Sequence, residues 1–256
     1  MRRMPKQEPP SLFSDLPSAP AGTQRVAFDI ETANLIELAP GQDLDSAGPL
    51  DISCAAAVTD TGALRHWYMQ DDRGAPYGTL DEATANAMLA WLRGQQLAGA
   101  KVCAWNGLSF DLRWIAHAAR DRRLAAEIAL DLYDPMFQFM CQRGFPIGLA
   151  SVGEALGVGE KKLMSGADAP REWAEGDRRK VLDYVAGDCR ITEAIVARIE
   201  ELREVRWKTK KGTTSRESFP RLLKVRECLA LPLPDTSWMS EPIPRSKFHA
   251  WLELKA

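Results

Sequence analysis

The sequence predicts an α/β protein in which a mixed β-sheet is covered by helices on both faces. Three observations favour this class: an apolar strand at about residues 24–31, a hairpin that follows it, and alternating strand and helix patterns up to residue 134. The predicted order is β-β-β-α-β-α-β followed by helices, which combines antiparallel neighbours with crossover connections. With 256 residues and 45% hydrophobic composition, the chain has enough apolar material for a core.

The strands are predicted from short apolar runs that end at turn residues. After the first strand, DISCAAAVTD (51–60) and ALRHWYMQ (63–70) form a hairpin, with turn residues between them. KVCAW (101–105) is a short fourth strand, and AEIALDLYD (126–134) is predicted as the fifth.

The helices are predicted from apolar spacing and from capping signals. LDEATANAMLAWLRGQQ (80–96) has buried positions at helical spacing, and Ser109 is the expected N-cap of SFDLRWIAHAARD. PMFQFMCQR begins with Pro135, a residue favoured at the first helical position. The longest helix is expected from about Asp177 to Arg203.

Charge, apolar runs and cysteine spacing indicate where the protein is expected to act. The net charge of −2 and pI near 6.0 neither favour nor exclude a nucleic-acid partner, because the local distribution of charge decides binding. No run approaches the ~18 apolar residues of a membrane span, and the N-terminus lacks the apolar part of a signal peptide. The five cysteines form no CxxC pair, as expected for buried thiols in a reducing compartment. We therefore expect a cytoplasmic protein without membrane contact.

Two carboxylates interrupt the first predicted strand. Asp29 and Glu31 are two residues apart, so both side chains face the same side of an otherwise apolar strand. Burying such charges is costly unless they are paired or bound to metal. This face of the strand is therefore a candidate cation site.

A third carboxylate interrupts an apolar stripe on the longest predicted helix. The stripe has spacings of three and four residues: Val181, Tyr184, Asp188, Ile191 and Ile195. Asp188 stands where the pattern requires an apolar side chain, and Tyr184 precedes it by one turn. A capping role or a buried ion pair for Asp188 is also compatible with the pattern.

A fourth acid, Asp111, falls in the first turn of a helix in WNGLSFDLRWI, where acids are favoured anyway. Asp111 becomes a candidate metal ligand if the four acids converge, because four carboxylates cannot all stay ionised in one pocket without cations. Hard oxygen ligands select Mg²⁺ or Mn²⁺ rather than zinc. Two such ions, about 3.5–4 Å apart, promote in-line phosphoryl displacement.

Three short motifs occur in an order and at spacings typical of one enzyme family. FDIET, NGLSFD and YVAGD resemble the three motifs of DEDD-type 3′–5′ exonucleases, in the branch whose third motif is Tyr-x-x-x-Asp. The middle motif is most similar to the proofreading domain of family B DNA polymerases. The stretch from residue 156 to 192 resembles stand-alone bacterial and phage exonucleases related to that domain. The resemblance covers roughly residues 24–200 and implies a ribonuclease H-like fold with a five-stranded mixed sheet flanked by helices.

The resemblance also implies roles for the residues at matching positions. Asp29 would bridge two metal ions, Glu31 and Asp188 would help to hold the ion that activates water, and Asp111 would serve the second ion. Tyr184 would position the attacking water. The residues expected to contact the terminal nucleotides are Thr32, Asn106 and Phe110.

The resemblance and the composition together predict three regions. Residues 1–23 are Pro-rich and are expected to be a flexible tail, 24–202 an exonuclease domain, and 203–256 a basic, Pro-rich C-terminal extension packed on that domain. Residues 203–226 contain nine basic residues against two acids, a local charge of +7. This segment is either a solvated basic face or a phosphate-binding arm, with Trp207 available to stack on a base. The candidate phosphate contacts are Lys162, Lys208, Lys210 and Lys211.

The function predicted first is a two-metal 3′–5′ exonuclease that acts on DNA with a free 3′ end and releases nucleoside 5′-monophosphates. Preference for DNA depends only on the family B likeness, so RNA 3′-end trimming is an alternative. A third possible function is that of a non-catalytic nucleic-acid-binding module, although the acids at every motif position argue against it. Two Mg²⁺ or Mn²⁺ ions are the implied cofactors, and the sequence predicts no particular protein partner.

Overall fold

The computed structural model describes residues 24–36, 48–158 and 164–253. Strands in this part of the chain form a five-stranded sheet, in the order β4-β3-β2-β1-β5, and a separate hairpin of β6 and β7. The strands are β1 Arg25–Thr32, β2 Ile52–Thr59, β3 Leu64–Gln70, β4 Pro76–Tyr77, β5 Lys101–Cys103, β6 Glu204–Lys208 and β7 Thr214–Ser218.

The helices of the described residues follow the sheet strands and then dominate the second half of the chain. They are α1 Glu82–Leu97, α2 Asp111–Ala119, α3 Arg122–Asp131, α4 Pro135–Arg143, α5 Leu149–Leu156, α6 Ala169–Glu175, α7 Arg178–Leu202, α8 Val225–Leu229 and α9 Ser246–His249. Side chains cap several of them: Asp81 accepts from the Thr84 amide at the start of α1, and Asp121 accepts from the Leu124 amide at the start of α3.

Strand β1 lies in the interior of the main sheet. It pairs antiparallel with β2 along its length and parallel with β5 through its first residues, so the sheet is mixed. The predicted α/β class with a mixed five-stranded sheet is confirmed. Its strand order and flanking helices are consistent with a ribonuclease H-like fold.

The two faces of the sheet bury different sets of apolar side chains. Phe28 and Ile30 of β1 pack into a core formed with helices α1, α2 and α3. On the opposite face, helix α7 packs across β1 and β2, and its residues Val181, Val185 and Cys189 share a core cluster with Cys54, Ala56 and Val58 of β2. The small residues of β2 let a helix lie close to the strands. Helices thus cover both faces, as predicted.

The predicted strand over 126–134 is wrong, since these residues form most of helix α3. Ala125, Ile128 and Ala129 are buried at helical spacing, and Asp121 caps the helix, so helical burial outweighs the apparent alternation. Leu132 and Asp134, just after the helix, are extended, and Tyr133 between them bridges in parallel to Cys103. The fifth strand of the sheet is instead β4, at the opposite edge.

The predicted N-cap of α2 is also wrong. The helix begins at Asp111, and its N-cap residue is Phe110, which makes no side-chain capping bond. Ser109 lies one residue too early to cap this helix. Helices α4 and α7 begin and end within one residue of their predicted bounds.

The chain beyond residue 203 packs on the rest of the protein. The β6–β7 hairpin contacts α5, and Phe219, which follows the hairpin, is fully buried. Phe248 of α9 is buried in the same core as β1. The tail predicted over 1–23 lies outside the described residues. Among the helices that the structure describes, none combines the length and apolar character needed to cross a lipid bilayer.

Candidate functional site

Strand β1 presents Asp29 and Glu31 on the face covered by helix α7. Both residues follow the alternation of the strand, with Phe28 and Ile30 directed to the opposite core. Asp29 lies opposite Ala56 in the neighbouring strand, and a register irregularity follows Glu31 at the end of β1. The side chains beside the acids are therefore small, and the strand becomes irregular next to them, which is common at functional sites.

Helix α7 brings Asp188 to the same place. The predicted stripe is buried as a whole, so Asp188 faces the sheet and not solvent. One carboxylate oxygen each from Asp29, Glu31 and Asp188 lie within 4.8 Å of one another. Residues separated by about 160 positions in the sequence therefore form one acidic cluster at the sheet–helix interface.

The fourth acid joins this cluster from helix α2. The Oδ1 atom of Asp111 accepts a hydrogen bond of 3.1 Å from the backbone N–H of Ile30, between the two acids of β1. This N–H is available because the parallel partner β5 pairs with β1 only as far as Ala27. Asp111 also forms a side-chain hydrogen bond with Asp29. All four acids predicted from the motifs thus lie together.

Two acids of this cluster, Asp29 and Asp111, resist ionisation. Burial raises the pKa of the Asp29 carboxyl well above its usual range, and the charges of Asp111, Glu31 and Asp188 raise it further. Burial also raises the pKa of Asp111 to about 7, against the opposing effect of its hydrogen bond with Asp29. The cause is that adjacent carboxylates with little solvent cannot all carry charge unless a cation compensates them.

Tyr184 lies one turn before Asp188 and is almost completely buried. Its hydroxyl forms a hydrogen bond with Asp188, and burial together with the neighbouring carboxylates raises its pKa. The hydroxyl also faces the turn at Gly166, where a Cβ atom would lie 3.5 Å from the phenol oxygen. Tyr184 is thus held as a neutral phenol at the edge of the acidic cluster.

The loop that precedes α2 has an unusual backbone. Asn106 adopts a left-handed conformation with φ of 67°, and its Oδ1 atom is buried with no hydrogen-bond partner among the described residues. Gly107 follows, and a Cβ atom there would lie only 2.4 Å from the Cβ of Ala104. Glycine is therefore required at 107, and the loop holds Asn106 in a strained backbone conformation shortly before Asp111.

Asp134 organises this loop and was not identified from the sequence. Its buried carboxylate accepts three backbone hydrogen bonds, from Asn106 at 3.1 Å, Leu108 at 3.1 Å and Phe137 at 3.0 Å. The carboxylate therefore caps helix α4 and fixes the Asn106 loop at the same time. The signal in the sequence was the Asp-Pro pair at the start of a helix, which indicates an N-cap but not the second contact.

The other predicted nucleotide contacts lie around the same loop. Phe110 is partly exposed, with its ring in edge-to-face contact with Trp114. Thr32 ends β1 directly after Glu31. Lys162, the predicted phosphate contact before α6, lies outside the described residues.

The predicted basic segment is mostly the β6–β7 hairpin. Trp207 packs edge-to-face on Phe139, with ring centroids 4.9 Å apart, so much of its ring serves the core. Lys208 is partly exposed, and Lys210 and Lys211 are exposed at the hairpin turn. Several arginine and lysine side chains of the segment are in ion pairs, namely Arg206 and Arg216 with Glu204, Arg221 with Glu227, and Lys224 and Arg226 with Asp131. These lysines lie on the hairpin, whereas the four acids lie on β1, α2 and α7.

The donor set of the acidic cluster fits a hard divalent cation. It supplies carboxylate oxygens only, within a space that one ion can share, and its raised pKa values are those of ligands without a compensating charge. Such a cluster is compatible with a metal-dependent nuclease. The five cysteines are all buried and free, as predicted, and they are not part of this cluster.

No protein-family model and no curated protein matches the chain. Among solved structures, the chain is similar to the family B DNA polymerase from the hyperthermophilic archaeon Pyrobaculum calidifontis, with a TM-score of 0.49 and 17% sequence identity. The match covers 70% of this chain and 25% of the polymerase, so the chain spans about a quarter of that protein's length.

Proposed function

We propose that this protein is a metal-dependent 3′–5′ exonuclease that hydrolyses DNA from free 3′ ends and releases nucleoside 5′-monophosphates. The observation that carries the proposal is the convergence of Asp29, Glu31 and Asp188 within 4.8 Å. The order and spacing of the three sequence motifs support it. The free, buried thiols accord with the reducing cytoplasm, where we place the protein.

Two divalent ions, Mg²⁺ or Mn²⁺, are the cofactors proposed for this site. When bound, they would supply an activated water and stabilise the charge that develops on the transferred phosphoryl group. Asp29 would help to hold both ions, because it is hydrogen bonded to Asp111 and also belongs to the cluster with Glu31 and Asp188. Glu31 and Asp188 would help to hold the ion that activates water, and Asp111 would help to hold the second.

Tyr184 is proposed to orient the attacking water. Its raised pKa keeps the hydroxyl protonated, so the residue acts as a hydrogen-bonding group and not as a base. Asp188, its hydrogen-bond partner, fixes the direction of the phenol. The tyrosine therefore holds water next to the carboxylates and removes no proton itself.

Asn106 and Phe110 are proposed to hold the terminal nucleotides. The unpartnered Oδ1 of Asn106 is an acceptor that a nucleotide hydroxyl or amino group would satisfy. The partly exposed ring of Phe110 would stack on or separate bases, and Thr32 would add a hydroxyl at the end of β1. The strained loop thus supplies binding groups directly before the first residue of α2, Asp111.

The direct test is release of mononucleotides from end-labelled single strands of DNA and of RNA with Mg²⁺. We expect 5′-monophosphates to appear one at a time from the 3′ end, and a chelator to abolish release. Faster release from RNA would replace the DNA assignment with RNA trimming. Strand binding without release in either polymer would leave a non-catalytic binding module.

Replacement of single acids tests which residues carry the reaction. Asp29→Ala and Asp188→Ala should each lower turnover by about a hundredfold or more, because a lost ligand removes stabilisation of transition-state charge. Asp183→Ala is the matched control, since Asp183 is exposed on the same helix. Near-normal turnover in a folded Asp29→Ala protein would contradict the two-metal assignment.

A further inference from the structure

The C-terminal arm, defined here as residues 243–252, is attached beside the candidate site. Arg245 donates to the backbone carbonyl of Leu231 at 2.8 Å, and the buried ring of Phe248 packs on Phe137 with centroids 6.1 Å apart. Trp251 donates from Nε1 to the carbonyl of Leu108 at 2.7 Å. Leu108 belongs to the loop that carries Asn106. The arm is therefore anchored directly to the loop proposed to hold nucleotides.

A pocket lies between this loop and the arm. This proximal pocket has a volume of about 490 Å³ and is lined on one side by the segment from Trp105 to Phe110 and on the other by Ile243, Lys247 and Phe248. Such a volume is ordinary for a small-molecule site. Its walls combine aromatic rings, the buried and unpartnered acceptor of Asn106, and one ammonium group, with no carboxylate among the described lining residues.

A second pocket follows along the outer face of α2. This distal pocket has a volume of about 600 Å³, and its lining includes Arg113, Arg120, Arg122 and His117, with no acid among the described lining residues. Trp251 of the arm forms part of its wall. The arm therefore contributes to both pockets.

Neutral groups help to orient Arg113 and Arg122, and Arg120 forms an exposed ion pair. Arg122 donates to the main-chain carbonyls of Trp251 and Glu253, which are neutral acceptors. The guanidinium of Arg113 lies 4.4 Å from the ring centroid of Trp114 and is thereby oriented. Arg120 pairs with Glu82 at 3.3 Å, but both side chains are more than half exposed, so this pair contributes little. A polyanion would find positive charge and aromatic surface together.

Helix α2 and the residue before it connect the two pockets with the acidic cluster. Phe110 lines the proximal pocket and contacts Trp114, which lines the distal one. Helix α2 begins at Asp111 in the cluster and runs about 13 Å to its end near Arg120, from its rise per residue. From the acidic cluster to the end of α2, a strand would therefore meet carboxylates first, then an amide and aromatic rings, and finally arginines.

We propose that the C-terminal arm and the outer face of α2 form a track for a single nucleic-acid strand. Lys247 contacts a phosphate near the 3′ end, and Arg113, Arg120 and Arg122 hold phosphates further along the strand. Unpaired bases fit the aromatic walls of the two pockets, because stacking requires an exposed base face. The occupant named here rests on the proposed function, whereas the pockets themselves do not.

The test is binding of a fluorescently labelled single strand, DNA and RNA in separate arms, to protein that also carries Asp188→Ala so that the strand stays intact. Lys247→Ala and Arg120→Ala should each weaken binding by about three- to fivefold, the range for one exposed charge contact. Each should also flatten the slope of log affinity against log salt by about 0.7. Arg198→Ala is the control, because Arg198 pairs with Glu201, lies outside the basic segment and lines neither pocket.

The possible outcomes separate this inference from the function on which it rests. Affinity and salt slope unchanged from the control in both variants would overturn the track. Weakened binding in variants of unchanged thermal stability would support it, and in the active protein KM should rise with little change in kcat. Charge-dependent binding without mononucleotide release would retain the track and reject the exonuclease. Mononucleotide release with a KM that Lys247→Ala and Arg120→Ala do not change would support the exonuclease and reject the track.

Discussion

At the scale of single residues, the site is organised around a shared hydrogen bond between Asp29 and Asp111. Ile30 donates its backbone N–H to Asp111, so the position of this carboxylate is set by the strand that carries Asp29. The raised pKa values of both acids mean that the metal-free site keeps protons that a bound cation would displace. Proton binding and cation binding therefore compete at the same oxygens.

This competition predicts a pH dependence of stability in the metal-free protein. Folding raises the pKa of Asp111 from 3.8 to about 7, so between these values the folded state holds a proton that the unfolded chain has released. The resulting stabilisation is complete at low pH and is lost as pH rises through about 7. We expect the thermal midpoint to fall as pH rises from about 4 to about 7 and to level off above that, and Mg²⁺ to stabilise most at the upper end.

Asp111→Asn is the matched variant for this measurement, because the amide keeps the acceptor for Ile30 but carries no titrating proton. Its thermal midpoint should change less with pH than that of the parent protein, while contributions from other titrating groups remain in both. Parallel curves for the two proteins would contradict the assignment of the proton to this pair.

Tyr184 gives a second prediction at this scale. Tyr184→Phe removes only the hydroxyl, so turnover should fall by about ten- to a hundredfold while Mg²⁺ affinity changes little. Tyr77→Phe, on an exposed tyrosine, is the control. Calorimetric titration of metal gives the affinity in each case. A loss of affinity as large as that in Asp188→Ala would show that the tyrosine supports the metal site and not the water.

At the scale of elements, the decisive one is the loop between β5 and α2. Its shape depends on a glycine without space for a side chain, on a residue with positive φ, and on the buried carboxylate of Asp134. Asp134 connects this loop to the start of α4, so the loop and this helix share one polar anchor. Such an arrangement fixes the backbone of Asn106 and leaves the Oδ1 atom of its side chain for a ligand.

Gly107→Ala tests this arrangement. The added Cβ would lie 2.4 Å from the Cβ of Ala104, so the loop must move, and we expect a loss of about 1–3 kcal/mol in the free energy of unfolding. Activity should fall further than stability, because Asn106 moves with the loop. The double variant Gly107→Ala with Ala104→Gly removes the closest clash and should recover part of both. No loss in the single variant would mean that the loop is not held as described.

At the scale of the whole molecule, charge is distributed unevenly. The chain carries −2 overall, yet residues 203–226 carry +7, so the remainder carries −9. Ion pairs within the described structure neutralise part of the basic segment, whereas Lys210 and Lys211 at the hairpin turn remain exposed. A polyanion would therefore be attracted most strongly to the hairpin and to the two pockets that carry Lys247 and the arginines.

Replacing Lys208, Lys210 and Lys211 together by Ala tests the hairpin. Strand binding should weaken, and the salt slope should flatten by about 0.7 for each phosphate that the protein no longer neutralises. The rate of cleavage of bound substrate should not change, because none of the residues of the acidic cluster belongs to the hairpin. A triple control removes the same charge from dispersed sites: Arg73, Arg123 and Arg198. Equal affinities and slopes in the two triple variants would leave the hairpin as a solvated basic surface.

Local patterns in the sequence are sufficient to predict many structural features of this protein. The alternation in β1 predicts that Asp29 and Glu31 share a face, and the stripe of α7 predicts that Asp188 is buried beside Tyr184. The α/β class and the bounds of α4 and α7 also follow from sequence. These features depend on the fixed periods of strand and helix, which are properties of a few consecutive residues.

Contacts between distant segments decide the rest. The 126–134 segment has an ambiguous pattern, and its helical state depends on capping by Asp121 and on burial against its neighbours. The dual role of Asp134, the bond from Ile30 to Asp111, and the approach of Trp251 to Leu108 each join residues far apart in the chain. The periodic patterns of strands and helices do not encode such pairs, because these contacts form only when the sheet and helices pack together. The acids are thus readable in the sequence, whereas the binding surface around them exists only in the folded protein.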